Sequence, residues 1–136
     1  MTSQSLSEYY SATLVDHFEH PRNAGAMTDP DVEGFVTNPV CGDSMRLFLR
    51  MDPDDRELIT AASFLTSGCP ASIATSSVAT EMITGLTLAE AEAIDRDQFA
   101  EAIGGLPKSK VHCSVLAQAA VRNAITEWRT AAADSR

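Results

Sequence analysis

Methionine and leucine alternate with arginine and phenylalanine along the segment MRLFLRM, residues 45–51. This period of two predicts a β-strand with one apolar face. The turn-forming residues DPDD follow at 52–55, and the apolar run from Leu58 to Thr66 predicts a second, antiparallel strand. A shorter strand is predicted from Phe35 to Thr37, ahead of Asn38-Pro39. Together these segments predict a small antiparallel sheet of about three strands.

Helical patterns lie on both sides of these strands. Apolar residues recur every four positions near the start of the chain and predict an amphipathic helix that ends near Pro21. A second helix is predicted after Cys69 and stops at Gly85, and two short helices open on capping boxes at 87–90 and 95–98. The predicted fold class is therefore α+β, with helices packed on the sheet. The apolar stripe of the first helix is Leu6, Tyr10, Leu14 and Phe18, and that of the last helix is Ala117, Val121, Ala124, Ile125 and Trp128.

Size and charge narrow the class of protein. The 136 residues, 44% of them hydrophobic, suit a single domain over 1–136 with frayed ends at 1–8 and 131–136. A formal net charge of -9 would repel a nucleic-acid backbone or an anionic membrane, so we expect neither as a partner. Without an apolar run of about 18 residues or an export signal, the expected location is cytoplasmic.

Three cysteines occur, and all are expected as free thiols close to the ends of elements. Cys41 stands in a turn before Gly42 and Asp43. Cys69 precedes a proline and is the predicted N-cap of a helix, where the helix dipole favours the thiolate. Cys113 is predicted just before the last helix. These positions favour reactivity over packing, although three unrelated buried cysteines are an alternative.

Other side chains with ligand atoms accompany the thiols. His112 is adjacent to Cys113, and Asp43 is two positions after Cys41. The charge of nearby Lys110 is expected to lower the pKa of Cys113. Thiolates with an imidazole and a carboxylate form a set suited to zinc or to iron-sulfur chemistry, provided that the chain brings them together.

Read in order, the motifs resemble the IscU/NifU N-terminal type of iron-sulfur cluster assembly scaffold. The resemblance runs from about Tyr10 to Trp128. Its motifs are Tyr10-Ser11 with Asp16-His17-Phe18 and Pro21-Arg22-Asn23, then Asn38-Pro39 with Cys41-Gly42-Asp43, Gly68-Cys69 followed by Ser72-Ile73-Ala74 and Ser76-Ser77, and Lys110-Val111-His112-Cys113-Ser114.

The resemblance implies a scaffold and carrier rather than an enzyme. Cys41, Cys69 and Cys113 would hold a two-iron, two-sulfur (2Fe-2S) cluster, with Asp43 or His112 as the fourth ligand and Lys110 beside the site. A cysteine desulfurase would supply persulfide sulfur, and apo iron-sulfur proteins would receive the cluster. We expect Cys113 to accept the sulfur because its thiolate should form most easily. Tyr10 corresponds to an N-terminal tyrosine of the family that is associated with the formation of a transient homodimer.

Departures from the family pattern and rival interpretations bear on the partners. Many relatives recruit a DnaK-type chaperone through Leu-Pro-Pro-Val-Lys, and only Leu106, Pro107 and Lys110 fit that segment, which argues against this partner.

The zinc-binding SufU-like branch of the family lacks a histidine adjacent to the last cysteine, so the presence of His112 favours the IscU branch. A zinc-bound sulfur relay with the same ligands is the main alternative. A thiol enzyme with Cys113, His112 and Asp43 is disfavoured because sequence neighbours rarely face each other.

Overall fold

The computed structural model describes residues 8–39 and 42–134. In chain order the elements are α1 (Ala12–Glu19), β1 (Val32–Thr37), β2 (Ser44–Met51), β3 (Ile59–Ser67), α2 (Pro70–Ile83), α3 (Leu88–Ala93), α4 (Arg96–Ala102), a short 3-10 turn (Lys108–Lys110) and α5 (His112–Asp134).

The three strands form an antiparallel sheet in the order β1-β2-β3. This confirms the fold class that the strand pattern predicts. β1 begins at Val32, three residues before the predicted start, because Val32 pairs with Leu49 and Glu33 with Phe48. The sequence pattern does not indicate this part of the strand, because Gly34 interrupts the alternation of side chains.

The main core lies between one face of the sheet and the helices α2 and α5. The Met and Leu side chains of β2 that the alternation assigns to one face are at most 1% exposed. Gly34 allows α5 to approach β1, because a Cβ there would lie 2.9 Å from the backbone nitrogen of Ala124. Asn123 then accepts a 3.0 Å hydrogen bond from the amide of Phe35, which fixes the helix on the strand. The predicted apolar face of α5 is confirmed.

Capping residues set several helix boundaries. Thr87 and Asp95 form the two predicted capping boxes that open α3 and α4. The first helix is shorter than predicted, because Ser11 accepts a hydrogen bond from the Leu14 amide and caps a helix that begins at Ala12. Tyr10 therefore precedes α1, and Leu6 lies outside the described residues.

The last helix is longer than its predicted range at both ends. α5 begins at His112, so Cys113 lies inside its first turn rather than before it. At the other end α5 extends to Asp134, into the segment predicted to be frayed, and alanines at 131–133 favour that extension. None of the helices in the described part of the chain is long and apolar enough to cross a bilayer.

A second apolar cluster lies next to the main core. It joins α1, α2 and the start of α5, and it includes the thiol-bearing Cys113. Its buried members are Leu14, Ala71, Ala74, Val78, Ile103 and Cys113, with Tyr10, Phe18, Cys69, Met82 and Leu106 packed against them.

Candidate metal centre

Three element ends meet at one end of the sheet. Asp43 directly precedes β2, and Ser44 at the start of β2 pairs with Ser67 at the end of β3. Cys69 follows β3 and is the N-cap residue of α2, as predicted. His112 and Cys113 open α5, which packs against α2 and the sheet. The antiparallel register therefore brings together residues that are far apart in sequence.

The candidate ligand atoms are close to one another. The sulfur atoms of Cys69 and Cys113 are 3.9 Å apart, and Asp43 Oδ2 is also 3.9 Å from the Cys69 sulfur. His112 Nε2 lies 3.8 Å from Asp43 Oδ2. Asp43, His112 and Cys113 each offer a ligand atom within 4.8 Å of the others. Cys41, the third predicted thiol ligand, lies outside the described residues.

The carboxylate of Asp43 is held from two sides. Its Oδ2 accepts a 2.5 Å hydrogen bond from the hydroxyl of Ser72, and Asp43 is 8% exposed. On the other side is Gly68, where a Cβ would come within 2.7 Å of the Asp43 Cγ. The carboxylate is thus directed at the thiols and the imidazole, and it does not serve merely to close its own turn.

Cys69 is the half-buried thiol of the pair. A hydrogen bond with the Cys113 thiol lowers the pKa of Cys69 to about 5, against the opposing effect of burial. The Cys69 side chain forms no capping hydrogen bond, but the Ser72 amide and hydroxyl and the Lys110 charge also favour its thiolate. The Lys110 charge acts on Cys69, which places Lys110 near this thiol.

Cys113 differs from the prediction in two respects. It is 1% exposed and packs in the second apolar cluster, so the predicted preference for reactivity over packing is wrong for this thiol. The hydrogen bond with Cys69, together with burial, raises the pKa of Cys113 above its ordinary value. The more easily formed thiolate is thus that of Cys69, and the reason given for Cys113 as sulfur acceptor is wrong.

Two side chains near the site have no role in the predicted ligand set. The Ser72 hydroxyl contacts both Asp43 and Cys113, at 2.5 and 3.2 Å. Burial raises the pKa of Tyr10, and the charges of Lys110, Cys69 and Cys113 act on its phenol, which places Tyr10 near the thiols. A serine at the third position after the cysteine that caps a helix is the signal that could have identified Ser72. The two other histidines are elsewhere, with His17 buried against Ser77.

Thiols, an imidazole and a carboxylate at one partly covered position can together bind a soft or borderline metal. The fold and this site define a small α+β protein with a thiol-containing candidate metal site at one end of its sheet. A profile of the NifU-like N terminal domain matches residues 9–134. The chain belongs to the NifU-like N-terminal domain family.

Two relatives carry names that agree with this family, and one solved structure shares the fold. The chain is 52% identical over 119 residues, 88% of this chain and 76% of the other, to the iron-sulfur cluster assembly scaffold protein IscU 1 of Archaeoglobus fulgidus. It is 46% identical over 123 residues to IscU of Azotobacter vinelandii, with 88% and 94% of the two chains covered. The crystal structure of FiSufU, a SUF-system protein of Fervidobacterium islandicum, has the same fold with a TM-score of 0.68 at 22% identity, over 85% of this chain and 96% of that one.

Proposed function

We propose that this protein is a scaffold on which a labile 2Fe-2S cluster is built and from which it is handed to apo-proteins. The observation that carries the proposal is the meeting of the Cys69 and Cys113 sulfurs, 3.9 Å apart, with the Asp43 carboxylate and the His112 imidazole. The names of the relatives support it, since they are iron-sulfur cluster assembly scaffold proteins. Cys41, two residues before Asp43 in the sequence, is the proposed third thiolate.

The proposed ligand set suits a cluster that the protein has to release. Four thiolates would form a closed site, whereas a carboxylate or an imidazole in the fourth position is a weaker ligand for iron. Asp43 and His112, whose Oδ2 and Nε2 atoms are 3.8 Å apart, are the proposed candidates for this position. The cluster is therefore the cargo of the protein, bound firmly enough to be assembled and loosely enough to be released.

The proposed partners follow from the same reaction. A cysteine desulfurase would bring persulfide sulfur, external donors would supply iron and the two electrons that reduce each sulfur atom to sulfide, and apo iron-sulfur proteins would accept the finished cluster. The sequence-based choice of Cys113 as sulfur acceptor has lost its stated reason, and the burial of Cys113 means that the site would have to open before a partner could reach it. Of the two described thiols, Cys69 is the more accessible to a partner.

A zinc-bound sulfur relay is the second candidate. The ligand atoms of Asp43, His112 and Cys113 lie within 4.8 Å of one another. One tetrahedral zinc ion could bind all three at that spacing, which favours this candidate. The thiol-enzyme alternative has less support. A nucleophile needs exposure and an easily formed thiolate, and Cys113 is buried with a raised pKa.

Anaerobic reconstitution with iron, sulfide and a cysteine desulfurase tests the proposal. We expect visible charge-transfer absorption and two acid-labile sulfides per cluster. We also expect most of the absorption to be lost in each of the variants Cys41→Ser, Cys69→Ser and Cys113→Ser. Ser114→Ala, next to Cys113 but outside the ligand set, is the matched control. Colourless protein that retains one zinc ion would instead support the relay, and persulfide labelling of the same variants would locate the sulfur acceptor.

A further inference from the structure

The Ser72 side chain contacts three residues of the candidate ligand set, although serine is not a typical metal ligand. It lies in the first turn of α2 and is 1% exposed. Its hydroxyl oxygen is 2.5 Å from Asp43 Oδ2, 3.2 Å from the Cys113 sulfur and 3.7 Å from the Cys69 sulfur. A buried hydroxyl in contact with three candidate ligands affects how all three are oriented.

The Asp43 carboxylate is the group that holds the Ser72 hydroxyl in place. The Ser76 hydroxyl, one turn along the same helix, donates its 2.8 Å hydrogen bond to the backbone carbonyl of Ser72 and not to the side chain. Asp43 is enclosed between Ser72 and Gly68, so the carboxylate has little freedom to turn away. A serine hydroxyl has one proton, which Ser72 can donate either to the carboxylate or to a ligand sulfur.

We propose that Ser72 is a positioning residue, whose hydroxyl donates its one proton to the Asp43 carboxylate, the shorter of its contacts, and so fixes that carboxylate toward the thiols. The inference deepens the proposed function and rests on it for the identity of the cargo. Groups that orient ligands typically change metal affinity by about 10- to 100-fold when they are removed. The positioning itself concerns any metal that uses Asp43 and Cys113, so zinc can serve as the probe.

The affinity of the full chain for Zn²⁺, measured by competition with a chromophoric chelator, tests this inference. We expect Ser72→Ala to weaken Zn²⁺ binding about tenfold, the lower end of the usual range. Ser72→Thr keeps the hydroxyl and should restore most of the affinity. Ser76→Ala is the matched control, because Ser76 is equally buried on α2 and loses the same atom without contacting a ligand. Circular dichroism and thermal melting verify that each variant folds.

A double-mutant cycle separates positioning from a general loss of structure. If Ser72 acts through Asp43, Ser72→Ala should cost clearly less affinity in an Asp43→Ala background, because contacting residues are not additive. Equal losses in both backgrounds would overturn the inference, as would wild-type affinity in Ser72→Ala or no Zn²⁺ binding by the wild-type protein. If Ser72→Ala does not fold, Ser72→Thr decides, since wild-type affinity supports the role of the hydroxyl and a tenfold loss contradicts it.

The Ser72 inference and the scaffold proposal can fail independently of each other. Wild-type protein that binds Zn²⁺ but assembles no cluster would refute the scaffold and leave the Ser72 result standing. Normal cluster assembly with an unaffected Ser72→Ala variant would refute only the positioning role.

Discussion

At the scale of single residues, the position of Asp43 depends on the absence of a side chain at Gly68. An added Cβ would lie 2.7 Å from the Asp43 Cγ and 2.9 Å from its Oδ1, closer than packed atoms approach. The carboxylate cannot give way easily, because the Ser72 hydroxyl holds its other side at 2.5 Å. Glycine is therefore required at position 68, because a side chain there would collide with the candidate ligand Asp43.

Gly68→Ala should therefore disturb the site more than the fold. We expect the added methyl group to turn the Asp43 carboxylate and to weaken Zn²⁺ binding about tenfold, as removal of a ligand-orienting contact does. Chelator competition measures the affinity, and thermal melting measures stability. Ser67→Ala, at the neighbouring exposed position, is the control and should bind Zn²⁺ as the wild type does. Unchanged affinity in Gly68→Ala would show that Asp43 does not contribute to the site.

At the scale of secondary-structure elements, the site is made where elements begin, and the sequence predicts most of those boundaries. The alternation at 45–51 predicts β2, and a proline after Cys69 predicts the start of α2. Such signals are local, so they can be read from neighbouring residues. They also place Asp43 and Cys69 in loops or caps, from which ligand atoms can point outward.

Features that depend on distant residues were not predictable in this way. Cys113 is buried because Leu14 of α1 and Ile103, just after α4, pack in the same cluster, and no local pattern around Cys113 indicates that contact. The roles of Ser72 and Gly68 likewise appear only once β2 and α2 are adjacent. Local sequence therefore predicts the elements and the ligand types, whereas the order of the two thiol pKa values depends on tertiary packing.

The packing of α5 on β1 gives a prediction at the same scale. Gly34→Ala would place a methyl group 2.9 Å from the backbone nitrogen of Ala124, where no side-chain rotation can relieve the clash. We expect the free energy of unfolding to fall by about 1 to 3 kcal/mol, as in overpacked cores. Urea denaturation measures the loss. Glu33→Ala is the control, since it breaks only an exposed ion pair with Arg46 and should cost no more than about 1 kcal/mol. A stable Gly34→Ala protein would mean that α5 can shift on the sheet.

At the scale of the whole molecule, α1 is attached to α2 through a buried histidine. His17 is 6% exposed, with Nδ1 at 2.8 Å from the Ser77 hydroxyl and Nε2 at 3.6 Å from Glu81. The Ser77 hydroxyl oxygen also accepts the backbone amide of Arg22 at 2.8 Å. Through α1 this attachment supports the cluster of side chains around Cys113.

The same histidine should make the stability of the protein depend on pH. Burial, with the charge of Arg22, lowers the pKa of His17, and the nearby carboxylates of Glu81 and Asp16 only partly oppose this effect. The unfolded chain then binds a proton near pH 6.5 that the folded chain does not yet bind, so acidification favours unfolding. We expect the unfolding free energy to fall between about pH 7 and pH 5, with His17 contributing at most about 1.4 kcal/mol per pH unit. Urea denaturation across this range should show a shallower slope for His17→Asn than for the wild type. Equal slopes for His17→Asn and the wild type would mean that His17 gains its proton as readily in the folded protein as in the unfolded chain, and that another group couples folding to pH.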